Sequence, residues 1–136
     1  MGSPITYKCK LQQAITLSTT ESELYTACNA AKSVKYIRSI LKHLGFNIPS
    51  PIPIYEDNAG TITVSNNERA TKRLRYVDLK HFAILDWVQA GDLVLKPIAT
   101  SDNLSDELTK LLRHQLHYRY ADTLLGKRPP SYCMFA

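Results

Sequence analysis

The stretch Leu17-Ser18-Thr19-Thr20-Glu21-Ser22-Glu23-Leu24 turns an extended segment into a helix. Ser18 or Thr20 can accept a hydrogen bond from the first free backbone N–H groups, and Glu21 or Glu23 can close a capping box. Both carboxylates also stand at the positive end of the helix dipole. Beyond them Leu24, Ala27, Cys28, Ala31, Val34, Ile37, Ile40, Leu41 and Leu44 keep helical spacing. Gly45 then ends the helix, because glycine takes the left-handed turn without a Cβ clash. Lys32, Lys35, Arg38 and Lys42 fall on the solvent side.

Upstream, Ile5, Tyr7, Cys9 and Leu11 alternate with Thr6, Lys8 and Lys10, so residues 4–17 read as extended, with a break at Gln12-Gln13. Downstream, Pro49, Pro51 and Pro53 stiffen a connector into a short strand, Ile52 to Tyr55, that ends at Glu56-Asp57-Asn58. A short helix is expected from Ala59 to about Ser65, and a polar basic loop from Asn66 to Arg75. A helix from Asp78 to Ala90 stops at Gly91, and Leu93 to Ile98 forms another strand. A cap-rich turn, Thr100 to Asn103, leads into a last helix from Leu104 to about Leu125. The order β-α-β-α-α-β-α argues for an α/β fold with some parallel pairing.

The sequence has 136 residues, 44% hydrophobic and 21% charged, which fits one domain spanning 1–136 with a core at about 4–125 and a tail at 126–136. That balance excludes a disordered chain. Apolar runs are only a few residues long, against roughly 20 for a membrane helix, so no membrane partner is expected. No charged segment followed by an apolar one opens the sequence, so no signal peptide is read. The net charge of +5 is compatible with an acidic partner such as nucleic acid. Cys9, Cys28 and Cys133 are three in number and widely spaced, and read as buried free thiols.

Three acids stand out. Glu23 lies in the first turn of the long helix, Asp57 at the carboxyl end of a strand, and Asp106 in the first turn of the last helix. Each is also ordinary helix-start chemistry. Together they could converge as hard oxygen ligands for Mg²⁺, and two Mg²⁺ held by carboxylates hydrolyse phosphodiesters by in-line displacement.

Several stretches, in order, resemble the RNase H domain of copia-type retrotransposon polyproteins. Leu17 to Leu24 resembles its L-S-T-T-E-x-E-Y, and Pro4 to Gln12 the strand before it. Ile54-Tyr55-Glu56-Asp57-Asn58 resembles I-Y-x-D-N, and Arg73 to Lys80 resembles R-T-K-H-I-D-I-K. Gly91 to Leu95 resembles G-x-I-x-L, and Ser105-Asp106-Glu107-Leu108-Thr109-Lys110 resembles A-D-I-L-T-K. The likeness runs from about residue 4 to 125.

The resemblance implies an RNase H-like fold and a two-metal Mg²⁺ site that cleaves the RNA strand of an RNA·DNA hybrid. It assigns Glu23, Asp57 and Asp106 as catalytic and metal-binding acids, with Glu21 left as a cap or solvent residue. Asn58, Lys72, Arg73 and Arg75 become candidate nucleic-acid contacts. In the family a further Asp lies on a first strand, and that strand and the second precede the stretch matched here. The fold is therefore expected to lack its first two strands, with a rearranged or strand-exchanged sheet and a homodimer as its consequence. Hydrolysis is expected to be impaired, because an incomplete ligand set holds Mg²⁺ weakly. The sequence also departs from the family at His81-Phe82 and at Lys110-Leu111, and Glu107 stands beside Asp106.

His114 and His117 face similarly on the last helix but lack a third metal ligand, so they read, like His43 and His81, as solvated. Tyr118, Tyr120, Tyr132 and Phe135 read as core and tail packing rather than a base-stacking platform, and Trp87 as core. Three functions follow: a degenerate RNase H-like domain that keeps nucleic-acid affinity, an active Mg²⁺-dependent ribonuclease H, and a domesticated fragment serving as a protein-interaction module such as a pathogen effector.

Overall fold

The computed structural model describes residues 3–9, 19–66 and 79–130, with the backbone alone described at 79–81. The chain folds as two compact units, Thr16–Pro97 and a second made of Met1–Ile15 with Ile98–Ala136.

In the first unit the helix announced at Leu17–Leu24 is α1, Thr19–His43, with Glu21 in its first turn and Lys42 and His43 in its last. It ends as expected. Gly45 has φ +88°, its N–H donates to the Lys42 carbonyl (3.1 Å), and the Phe46 N–H reaches back to Leu41 (3.0 Å), which is a Schellman cap. One stripe of α1 is buried: Leu24, Ala27, Cys28 and Ala31. Three of these four are small, so the helix can lie close to what it covers.

What it covers is a parallel pair of strands, β1 (Ile52–Glu56) and β2 (Leu93–Pro97), paired from Ile52↔Leu93 to Glu56↔Pro97. Parallel strands need a crossover. Two helices supply it, α2 (Ala59–Asn66) and α3 (Leu79–Gln89). Leu24 and Ala27 pack with Ile84 and Leu95, and with Val64 and Val88 at the margin. Ala31 packs with Ile54 and Leu93, joined by Val34, Ile52, Trp87 and Val88. Trp87 is half-buried rather than fully in the core.

Asp92, just before β2, ties the strand to α1. Its carboxylate meets Lys35 Nζ at 2.6 Å and Arg38 at 3.5 Å, and Lys35 also stands 5.0 Å over the Trp87 ring. The Lys35 hydrogen bond holds the Asp92 carboxyl below its ordinary range. These groups are about one-third exposed, so the pairs fix register more than they add stability.

In the second unit, short 3-10 turns at Thr100–Asp102 and Leu104–Leu108 precede α4, His114–Leu124. The single helix expected from Leu104 to Leu125 is therefore two pieces. The Asn103 side chain accepts from the Ser105 N–H and Oγ, and the Asp106 carbonyl accepts from both Thr109 and Lys110 N–H. These local bonds among poor helix formers compete with the α-ladder. Tyr120 of α4 is the buried anchor, 1% exposed, and its hydroxyl donates to the Thr100 carbonyl (3.2 Å).

The half-buried strand read in residues 4–17 is absent where those residues are described. Residues 3–9 form no strand and are all exposed, Ile5 at 81% and Tyr7 at 76%. Alternation describes how a strand would divide its faces, not whether another strand lies beside it. Cys9 is exposed, with its thiol donating to the Leu108 carbonyl (3.3 Å), whereas Cys28 is fully buried as expected. Residues 10–17, most of the basic loop Asn66–Arg75, and the tail residues Tyr132, Cys133 and Phe135 lie outside the described residues. No described helix is long and apolar enough to cross a membrane.

Candidate functional site

β1 alternates, with Ile54 and Glu56 buried and Pro53 exposed. Glu56 thus continues the apolar face of the strand and carries a carboxyl to where the strand ends, 8% exposed. Its Oε1 accepts from the Asn58 N–H at 3.0 Å. The chain turns there because the Asn58 side chain caps α2, its Oδ1 accepting from Gly60 N–H (2.9 Å) and Thr61 N–H (3.2 Å).

Burial foremost, with the negative charges of Glu23 and Asp57 adding to it and the Asn58 hydrogen bond opposing it, pushes the Glu56 carboxyl up from an ordinary 4.5 to about 7. Glu23 of α1 and Asp57 after β1 are both half-buried. The fold therefore brings two of the three expected acids to a common neighbour, which is itself a third acid. The sequence reading passed over Glu56. Its signal was there in the period of two: counting from Ile52 and Ile54, the next residue on the buried face is Glu56, not Asp57.

Asp106 lies in the second unit, on the 3-10 turn Leu104–Leu108. It is 6% exposed and its carboxylate holds Lys110 Nζ at 2.8 Å. Burial, with the Asp106 charge adding to it, pushes the Tyr120 phenol above its ordinary range. The neighbouring Glu107 pairs with His117 Nδ1 at 2.5 Å.

The donor chemistry of Glu23, Glu56 and Asp57 suits a hard cation, since a divalent ion would relieve the repulsion now borne by Glu56. Among the described residues no three His, Cys, Asp or Glu side chains surround one point. Mg²⁺ needs no such cage: it is commonly held by one or two carboxylates, with waters and substrate phosphates completing its shell.

Of the expected nucleic-acid contacts, Asn58 is described and its side-chain oxygen is engaged as the α2 cap. Lys72, Arg73 and Arg75 lie outside the described residues. His114 and His117 are exposed as expected, but they flank the Tyr118 ring, which is 56% exposed rather than packed inside.

The chain is similar to the retrovirus-related Pol polyprotein from transposon RE1 of Arabidopsis thaliana, 30% identical over 129 residues that make up 94% of this chain and 9% of that protein. It is 31% identical over 129 residues, again 94% of this chain and 9% of the relative, to the retrovirus-related Pol polyprotein from transposon RE2 of the same plant. To the counterpart from transposon TNT 1-94 of Nicotiana tabacum it is 30% identical over 111 residues, 82% of this chain and 8% of the relative. The chain thus spans less than a tenth of the length of the curated relatives it matches. No family model matches the chain, and no solved structure does. The similarity to copia-type Pol polyproteins supports a transposon-derived domain.

Proposed function

We propose that this chain is an RNase H-like domain of copia-type retrotransposon origin that binds RNA·DNA hybrids and, as these 136 residues alone, hydrolyses them poorly or not at all. The observation that carries the reading is the meeting of Glu23 and Asp57 at the buried Glu56 carboxyl. Residues so far apart in sequence, placed at the end of a parallel strand where α/β folds collect ligands, form a local negative potential that attracts a divalent cation. Similarity to transposon Pol polyproteins supports the same reading.

Glu23 and Asp57 would hold Mg²⁺. The ion would stabilise charge on the scissile phosphate and on the oxygen that leaves. Glu56, with a pKa of about 7, can hold or release a proton beside that site near neutral pH. Asn58 fixes the turn that presents Asp57. Lys72, Arg73 and Arg75 would contact phosphates.

The test is Mg²⁺-dependent cleavage of a labelled RNA·DNA hybrid by purified wild type and Asp57→Asn. The expected result is cleavage that is weak in Mg²⁺, stronger in Mn²⁺ and lost in the variant, with salt-dependent hybrid binding retained in both. Robust Mg²⁺ turnover lost in Asp57→Asn would establish an active ribonuclease H instead. Absence of hybrid binding at low salt would overturn the reading.

A further inference from the structure

We propose that the exposed face of α4 built from His114, Tyr118 and His117 is a stacking platform for unpaired bases of single-stranded nucleic acid, with Arg113 beside it as a phosphate contact. Tyr118 is 56% exposed. Its ring centroid lies 4.6 Å from that of His114, tilted 57°, and 5.6 Å from that of His117, nearly edge-on at 74°. The two imidazoles are themselves exposed, so they hold the phenol in place without burying it. Pre-set aromatic rings bind bases well because little rotamer freedom is lost on binding, and any base presents a π-face to them.

Apolar packing does not account for this cluster. The buried side of α4 is carried by Tyr120 and Thr123, and Tyr118 is left on the solvent side.

Charge on the same unit selects the occupant. The four acids between residues 98 and 130 are each paired: Asp102 with Arg119, Asp106 with Lys110, Glu107 with His117, and Asp122 with Lys127. Among the described residues, Arg113 and Arg128 have no acidic partner. Arg113 is exposed and directly precedes His114, and its carbonyl accepts from the His117 N–H at 2.9 Å, so it sits at the base of the cluster. A partner offering both flat rings and anionic groups meets these features, and a nucleotide chain is that partner. Glu107 meets the cluster at His117 Nδ1 (2.5 Å) and is engaged there.

This platform is distinct from the acids at the end of β1 and does not require them to be catalytic. The experiment is fluorescence anisotropy of labelled oligothymidylate and oligouridylate, each of about 12 nucleotides, across a salt series, with an RNA·DNA hybrid in parallel. Wild type should bind the single strands. Tyr118→Ala should weaken that binding about tenfold with hybrid affinity unchanged, and Tyr118→Phe should restore it. Arg113→Gln should weaken binding and lower the salt slope by about one. A preference between the two oligomers would tell DNA from RNA as the natural strand. Wild-type affinity in Tyr118→Ala, or no single-strand binding at low salt, would overturn the proposal. Single-strand binding without hybrid binding would sustain it while removing the RNase H-like reading.

Discussion

Glu23, in the first turn of α1, lies close enough to Glu56, the last residue of β1, for its charge to raise the Glu56 carboxyl. This charge interaction links the helix that starts the described core to the strand that ends at the candidate site. It also stores repulsion that a proton, a cation or a neutral substitution would release.

Glu56→Gln should therefore stabilise the protein above neutral pH. Glu56 binds its proton more tightly in the folded chain, at about 7, than in the unfolded one at an ordinary 4.5. Its favourable contribution is full below the unfolded value and is lost as pH rises through the folded one. The loss amounts to about 3 kcal/mol at most. Urea unfolding of wild type and Glu56→Gln at pH 5 and pH 8 checks this: the variant should gain at the higher pH and change little at the lower. An equal effect at both would show that the carboxyl is not held protonated by the fold.

Mg²⁺ should raise the melting temperature of the wild type by a few degrees at pH 8, where Glu56 is charged. In the double variant Glu23→Gln, Asp57→Asn the rise should vanish while the variant's own melting temperature stays level or increases. An unchanged Mg²⁺ response would place the ion elsewhere.

Asn58→Ala should cost about 1 kcal/mol by removing the α2 cap, and Asn58→Ser should cost much less because serine caps nearly as well. If both lose hybrid affinity while only the alanine variant loses stability, Asn58 contacts the nucleic acid in addition to capping.

Ala31→Leu should destabilise by about 1–3 kcal/mol. Ala31 is fully buried against Ile54 and Leu93, and the seam between α1 and the strands has no room for a larger side chain. Denaturant midpoints compared with the exposed control Ala30→Leu would separate packing from helix propensity.

Much of the fold was legible because it is written locally. Capping at Ser18–Glu23, glycine stops at Gly45 and Gly91, and the short apolar runs at Ile52 and Leu93 gave α1, α3 and the two parallel strands to within a residue or two. The break between Leu108 and His114 was not legible, because it comes from side-chain bonds of Asn103 and paired acceptance at the Asp106 carbonyl, not from any proline or glycine. At the site, Glu23 and Asp57 were legible from their places at a helix start and a strand end, and the resemblance supplied the role expected of them. Glu56 was missed because an acid beside a sought-for acid draws no notice until the strand's alternation is counted past its apolar residues. Tyr118 and Tyr120 look alike in sequence, and only the placement of α4 decides which one is buried.

The thiol of Cys28 has no solvent exposure and sits in the seam of α1, while the thiol of Cys9 lies on the surface. A thiol reagent reaches the first only when α1 lifts from the strands, whereas the second reacts at once. The chain consequently carries its own clock. The lag before Cys28 is alkylated times the opening of the helix–sheet seam in native buffer, with no residue replaced.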